Sequence, residues 1–561
     1  MKILGISHLH DSSAAIIIDG IIVAAAEEER FDRIKHSKNF PINAIKFCLE
    51  KPSLLINEID EVCISMDWLA RAKSRFDKTY SPEDISLCKR AVVWARDDIN
   101  KKINAERVIR ENLGYSGKIS FLDHHDCHAA ACYFPSKFKE TAILTIDGAG
   151  EQAATRIYHA KGNKILKKIQ FDFPNSLGAL YSLATAHLGF KVDCDEGKIM
   201  GLAAYGNSSL VKKFNKIIKI NKEGGYKIKS EWLDFINETF SKDFIKEIGI
   251  LKRRNDEKIE KKHENLAFAA QKILEFAVLK LAELAQKITS SKYLCFGGGV
   301  ALNSVVNGKI AKSGLFKDIY IYPASGDSGT SVGAAFYSYY CIKKNKKIFY
   351  EENQSPYLGY LEPKEKIIKN LKKYKLIYTK PENLEKEVSI LLSKNKIIGW
   401  FSGRAEFGPR ALGHRSILAD PRDSLNKDRL NLQIKFREPF RPFAPVVMEE
   451  FAEQYFNMFG FKSPYMLLTF KVKEDKRDII PAVTHIDNTA RIQTVNKKQN
   501  RRFWNLINEF YKITGVPVLL NTSFNKAGDP MVNTSVEAIE TFLKSGLDAL
   551  VLEDYLVQKN N

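Results

Sequence analysis

The order of patterns in residues 2–26 returns in residues 142–172, and this repetition constrains the fold more than any other feature of the chain. In the first copy, residues 2–7 (KILGIS), 13–18 (SAAIII) and 21–26 (IIVAAA) read as strands, and Asp19-Gly20 supplies a two-residue hairpin turn between the last two. In the second, residues 142–146 (AILTI) lead into Asp147-Gly148-Ala149-Gly150, then AATRIYHA, a Lys161-Gly162-Asn163 turn and KILKKIQFDF. A strand, a polar or Gly-rich loop and a hairpin occurring twice predict an internally duplicated α/β domain. Two such halves face each other across a cleft lined by loops at the strand ends. The loops LHDSS and DGAGE are therefore candidates to hold phosphates, which makes Asp147 and Gly148 candidate nucleotide-binding residues.

Between the two copies, His124-His125-Asp126-Cys127-His128 opens a helical run. His124 and His128 are four apart, so on a helix their imidazoles share a face and can grip one metal ion, with a third ligand supplied from elsewhere. The same spacing also suits a capped helix start with surface histidines. Residues 264–288 carry apolar side chains at helical spacing, including Leu266, Ala270, Ile273, Ala277, Leu281 and Leu284. A strand over 293–296 then runs into Gly297-Gly298-Gly299-Val300-Ala301-Leu302-Asn303. Glycines between a strand and a helix let a ligand approach the backbone, so Gly297, Gly298 and Asn303 join the nucleotide candidates; a tight strand-to-helix turn accounts for the same residues. A further strand, 318–322, ends in a loop holding Asp327, placed where such sheets put functional carboxylates and equally where a helix takes an N-cap.

A chain of 561 residues predicts two or more domains. Its 87 Lys+Arg against 67 Asp+Glu leave a formal +20, which suits nucleic acid, a membrane surface, or nucleotides and acyl phosphates. The lysines are scattered over most of the length, as on solvated faces, so charge alone selects none of these. The eight cysteines form no CxxC pair, which excludes a zinc ribbon or redox motif and predicts reduced thiols. The chain contains no apolar run of about 18 residues, and MKILGISHLHD lacks the apolar region of a signal peptide, so a soluble cytoplasmic protein is expected.

Residues 346–375 change character and read as a linker between a first domain, 1–345, and a second, 376–561. The second domain opens with an amphipathic helix (ENLEKEVSILLSKN) and a strand (KIIGWFS), and near its end has a strand at 518–520, a polar loop from Asn521 to Asn525 and a helix from about 535 to 544. It gathers arginines beside Gly and Pro in GRAEFGPRALGHRS and KFREPFRPFAP. Guanidinium groups held in such loops suit bidentate binding of phosphate or carboxylate.

Taken together, these stretches resemble the ATP-dependent O-carbamoyltransferases of the nodulation and antibiotic-tailoring type (NodU/CmcH/TobZ-like) over nearly the whole chain. The matching segments are GISHLHDSSAAII with AAEEERFDRIKH, HHDCHAAACYFPS, EGKIMGLAAYG, GGGVALN, SGDSGTSVGAA, GRAEFGPRALGHRSILADPR, FREPFRPFAPVV and LLNTSFNKAGDPMV. The resemblance implies a first domain like the tRNA threonylcarbamoyltransferases of the actin-like ATPase (ASKHA) superfamily and a YrdC-like α/β second domain. It implies that carbamoyl phosphate and ATP, with Mg²⁺, give carbamoyl-adenylate, whose carbamoyl group passes to a hydroxyl of a small-molecule or sugar acceptor. Carried onto this chain, it implies His124, His128 and Asp327 as ligands of Fe²⁺ or another divalent metal. It also implies a carbamoyl phosphate pocket of Arg410, Lys435, Arg441, Arg491 and Ser523, and a catalytic His10 in a loop whose Ser12 replaces the family's alanine. No membrane or nucleic acid partner is expected, and a homodimer is left open.

Two rival functions compete with that expectation. A tRNA threonylcarbamoylation enzyme would use the +20 charge on phosphates, but the fusion of both domains and the HHDCH and FREPFRPFAP forms favour the O-carbamoyltransferases. A nucleotide-gated actin-like binding protein would have no need of the arginine-rich second domain. The hydrogenase-maturation carbamoyltransferases carry CxxC zinc motifs that this chain lacks.

Overall fold

The computed structural model describes residues 1–77 and 85–559. It divides into two compact units, one made of Met1–Ala25 and Lys38–Gln354, the other of Ser355–Asn561 together with Ala26–Ser37. Residues 346–375, read as a linker, carry a helix at Lys364–Lys373 and from Ser355 onward belong to the second unit.

In the first unit, β1 (Lys2–Ser7), β2 (Ser13–Ile18), β3 (Ile21–Glu27), β4 (Glu61–Ile64) and β5 (Lys118–Phe121) form a sheet in the order β3-β2-β1-β4-β5. A second sheet uses β6 (Glu140–Ile146), β7 (Ala153–Lys161), β8 (Lys164–Asp172), β9 (Tyr293–Gly297) and β10 (Asp318–Ile321) in the order β8-β7-β6-β9-β10. In each, the first strand runs antiparallel to the second and parallel to the fourth, and the fourth runs parallel to the fifth. The expected duplication is this repeated strand order. Asp19 and Gly20 adopt φ of 49° and 83°, the positive pair a two-residue hairpin turn requires if its twist is to match the strands.

The ends of β1, β6, β9 and β10 lead into the loops that hold His10, Asp147, Gly298 and Asp327. Two helices support them: α1 (His124–Tyr133), and α3 (Thr330–Phe336), which follows the long α2 (Lys261–Thr289). The side chains of α2 named above are all buried. An added Cβ at Gly333 would stand 1.9 Å from the Cys127 carbonyl oxygen, so α3 packs on α1 backbone to side-chain-free backbone. Gly333→Ala is expected to lower the free energy of unfolding by about 1–3 kcal/mol, the usual cost of forcing a methyl into a filled core, read from urea denaturation.

His187 ends the helix Leu177–His187 fully buried, with Nδ1 2.7 Å from Thr239 Oγ1 and Nε2 3.0 Å from the Ile250 carbonyl oxygen. Burial lowers its pKa to about 4, so the folded chain holds it neutral where the unfolded chain, at 6.5, takes up a proton. The unfolded state then binds more protons between those values, and stability contributed by neutral His187 falls as pH falls through that window. Wild type should lose about 2 kcal/mol more than His187→Gln between pH 7.5 and 5 in urea midpoint measurements.

The second unit is built on a nine-stranded sheet. Its strands are β11 (Tyr378–Thr379), β12 (Ile398–Phe401), β13 (Arg415–Ala419), β14 (Ala444–Met448), β15 (Leu468–Lys471), β16 (Thr489–Val495), β17 (Val518–Ser523), β18 (Ala549–Leu552) and β19 (Tyr555–Gln558). They lie in the order β11-β19-β18-β12-β13-β17-β14-β16-β15. Strand β17 continues through Asn521-Thr522-Ser523, read from the sequence as loop. Asn521 is paired with Leu418 on one side and Ala444 on the other, and its buried amide donates to Gln493 and the Ala411 carbonyl. Sheet pairing on both edges thus outweighs the turn preference of the residue type. The described cysteines are free, Cys88 lies outside the described side chains, and among the described residues no helix is long and apolar enough to cross a membrane.

Candidate functional site

In the first unit, the Asp123 side chain caps α1 by accepting from the Asp126 N–H, and the helix then presents His124 and His128 on one face. Their Nε2 atoms lie 3.0 Å apart. Asp147 Oδ2 stands 2.8 Å from His124 Nε2 and 3.3 Å from His128 Nε2, while Asp327 Oδ1 lies at 3.5 and 3.8 Å from the same two atoms. Ligand atoms of all four residues fall within 4.8 Å of one another. His124 Nδ1 faces the Ser65 carbonyl at 3.2 Å and donates there, which leaves Nε2 as the atom turned into the cluster and the one a metal would take in place of its proton.

Electrostatics favour a cation at this point. Burial opposes charge on His124, yet the hydrogen bond to Asp147 and the charge of Asp327 raise its pKa to about 9. Burial raises Asp327, and the neighbouring Asp147 carboxylate adds to the rise; the two histidines hold Asp147 itself well below the carboxylate range. Two imidazoles and two carboxylates suit a divalent ion of borderline softness, and the set does not by itself distinguish iron from manganese or zinc. His125 plays a different part. Its ring is spent on Thr145 Oγ1 at 2.8 Å and the Ala153 carbonyl at 3.0 Å, and burial lowers its pKa to about 3.

His10 is about one third exposed, with Nε2 2.9 Å from Asp193 Oδ2; burial works against its protonation, but Asp193 and the charge of Asp327 raise its pKa. Gly148 has open space where a side chain would be. The other loop candidates are engaged internally. Gly298, at φ +90°, lies so close to β6 that a Cβ would meet the Ile146 carbonyl at 2.2 Å, and Gly297 lies against the His128 carbonyl. The Gly298 N–H bonds to the Ser325 carbonyl and the Gly299 N–H to Asp147 Oδ1, both at 3.0 Å. Asn303 caps the helix Ser304–Lys312 and shares its amide with Gln271.

The second unit brings its predicted residues together. Lys435, almost wholly buried, donates from Nζ to Asn525 Oδ1 at 2.8 Å, the Asn525 carbonyl at 3.0 Å, Ser523 Oγ at 3.1 Å and the Ser523 carbonyl. Burial and the charges of Arg437, Lys35 and Arg441 push its pKa well down. Arg410 and Arg491 each hold a buried Nε with no hydrogen-bond partner. Burial and the Arg441 charge lower Arg410 to about 10, and Arg491 is depressed by burial and by Arg410, Arg437 and Arg441 together. Half-buried arginines that repel one another and keep buried donors unpaired are costly unless an anion completes the group.

Several contributors were not singled out in the sequence: Asp147 as a donor beside the histidines, Asp193 against His10, Asn525 and Arg437 around Lys435. Glu406 is another. Its Oε1 accepts from the N–H groups of Leu412, His414 and Arg415 at 2.7, 2.9 and 3.2 Å, shaping the loop after Arg410. Asp193, Asn525, Arg437 and Glu406 sit in the matched segments or close beside them and Asp147 in the DGAGE loop, but only folding shows which atoms they face.

A duplicated α/β unit with a cation-seeking cluster and a second α/β unit with an anion-seeking one describe a two-part protein with two distinct polar centres. The chain belongs to the carbamoyltransferase family: residues 2–336 match the carbamoyltransferase N-terminus model and residues 389–559 the carbamoyltransferase C-terminus model. Its relatives include Nodulation protein NolNO of Sinorhizobium fredii, 36% identical over 98% of this chain and 79% of that protein. Nodulation protein U of Rhizobium tropici is 28% identical over 94% of this chain and 91% of its own length. Full-length HypF in its phosphate- and nucleotide-bound form overlaps with a TM-score of 0.35 at 13% identity, covering 61% of this chain and 46% of that one.

Proposed function

We propose that the chain is an ATP-dependent O-carbamoyltransferase in which a YrdC-like second unit makes carbamoyl-adenylate from carbamoyl phosphate and ATP, with Mg²⁺, and an actin-like first unit passes the carbamoyl group to a hydroxyl. The observation that carries this reading is the cluster of half-buried Arg410, Arg441 and Arg491 with buried Lys435, whose mutual repulsion an acyl phosphate or a nucleotide phosphate would relieve. Guanidinium groups with open Nε donors match phosphate oxygens in geometry as well as charge. Water cleaves carbamoyl phosphate to carbamate and phosphate, and a carbamate oxygen then attacks the α-phosphorus of ATP and displaces pyrophosphate; the mixed anhydride with AMP so formed gives a poor electrophile a good leaving group.

For the transfer step, His124, His128, Asp147 and Asp327 would hold the divalent metal, Fe²⁺ or another. When bound, such an ion supplies a Lewis-acidic centre that polarises a carbonyl or phosphoryl oxygen. His10 accepts the acceptor hydroxyl proton at Nδ1, while Asp193, 2.9 Å from Nε2, fixes the ring and stabilises the imidazolium that results. The acceptor is a small molecule or sugar.

Two measurements test this. Carbamoyl phosphate and ATP together should release pyrophosphate from the purified protein, after which acceptors are screened by mass spectrometry; no pyrophosphate under those conditions overturns the reading. His10→Gln is expected to keep pyrophosphate release while transfer falls by about 10²–10⁴, the usual contribution of a positioned base. Equal loss of both would remove His10 from that role.

A further inference from the structure

The second unit contains a segment that its own stretch of sequence does not supply. Residues 26–37 (AEEERFDRIKHS) begin in the last two residues of β3 and belong to the second unit, the chain returning to the first at Lys38, far ahead of the rest of the second unit, which begins at Ser355. Arg33 and His36 in this strap hold φ of 59° and 54°, a conformation costly for non-glycine residues and kept only where surrounding contacts over-determine it.

Those contacts fall on two loops. Glu27 Oε1 accepts from the Gly408 N–H at 2.6 Å, and Arg30 Nη2 donates to the Gly408 carbonyl at 3.0 Å, so both backbone polar groups of the residue two positions before Arg410 are fastened. Arg30 Nε also donates to Glu27 Oε2 at 3.3 Å, and both side chains are about 95% buried, at 4–5% exposure. Arg33, three residues after Arg30, donates to the Met531 and Pro530 carbonyls at 2.8 and 2.9 Å and pairs with Glu537 at 3.1 Å. The loop it grips is tied to the other side of the cation cluster: Asn525, which receives Lys435 Nζ, donates its own Nδ2 to the Asp529 carbonyl at 2.6 Å.

We infer that the strap is a two-point clamp for the anion site, with Glu27 and Arg30 positioning the Arg410 loop and Arg33 positioning the loop that carries Asn525 and orients Lys435. The inference rests on the anion-binding reading of that cluster. Cations that repel one another drift apart unless their backbones are fixed, and fixing two loops with one short segment sets the spacing of the guanidinium and ammonium groups. The residues are positioning residues, since none of them belongs to the cluster itself.

The test uses the full chain with inorganic phosphate as probe in calorimetry, and carbamoyl phosphate in pyrophosphate-release assays. Arg33 is the milder target because its side chain is about one third exposed. Arg33→Met should weaken phosphate binding and raise the KM for carbamoyl phosphate by at least ten-fold, with kcat on supplied carbamoyl-adenylate unchanged. Arg33→Lys, which still reaches one of the two carbonyls, should recover part of the loss. Glu27→Ala should act in the same direction. Variants that melt at a lower temperature yet bind phosphate as wild type does would make the strap a stabiliser only and overturn the inference. If Arg441→Met binds phosphate as wild type does, the anion site itself is misassigned, and the strap's role falls with it for a reason the experiment identifies.

Discussion

His128→Ala is expected to purify folded, essentially free of metal and inactive in carbamoyl transfer. The histidine is 1% exposed and its Nε2 is 3.0 Å from that of His124, so the cluster loses one of two nitrogen donors, and no other nitrogen ligand stands ready to replace it in the set of His124, His128, Asp147 and Asp327. Losing a group that merely orients a ligand already costs about 10–100-fold in metal affinity or activity, and losing the ligand should exceed that. Pyrophosphate release in the second unit should continue, which separates loss of metal from general damage. Metal content by elemental analysis and turnover with acceptor are the measurements. A His128→Ala protein with a full complement of metal and normal turnover would show that the cluster is not the site. Asp147→Asn is the companion variant, because it tests a fourth donor that spacing alone did not reveal.

The duplicated sheets were legible because each copy repeats both strand pattern and turn chemistry: Asp19-Gly20 and Lys161-Gly162-Asn163 mark hairpins whose backbone demands those residues. The His124 and His128 pair was legible because helical geometry converts a four-residue spacing into a shared face. Asp147 was harder. Its loop suggested phosphate binding, and only the pairing of β6 with β9 places its carboxylate between the histidines and the Gly299 N–H. Gly297, Gly298 and Asn303 show the converse, since a strand, glycines and a helix fit a phosphate cradle and a tight turn alike, and the distances to Ile146 and Gln271 reflect the packing of the turn. Residues 26–37 lay outside the reach of sequence reasoning for a simpler reason. A contact between Glu27 and Gly408 spans 381 positions, and no local pattern encodes a partner that distant.

The second large effect is expected from Arg441→Ala, which should slow carbamoyl-adenylate formation severely and leave transfer from supplied carbamoyl-adenylate intact. Arg441 has one ion-pair contact, a long one of 3.6 Å to Glu438, while its charge bears on Lys435, Arg410, Arg437 and Arg491. Its principal effect on the ligand-free protein is therefore repulsion, and its value lies with the anion. A hydrogen bond to a charged group is worth about 1.5–3 kcal/mol, so removing a guanidinium that makes two of them should slow adenylate formation by about 10²–10⁴. Stability should move the other way: with one of several mutually repelling cations gone, the variant is expected to melt no lower than wild type, the pattern of a binding residue held in place at the expense of the fold. Pyrophosphate release, thermal melting and transfer from synthetic carbamoyl-adenylate are measured on one preparation. The two half-reactions reside in separate units only if the third survives the loss of the first. A variant equally dead with the supplied intermediate would mean that Arg441 also serves the transfer step, and one that melts lower while keeping pyrophosphate release would mean that its charge is structural.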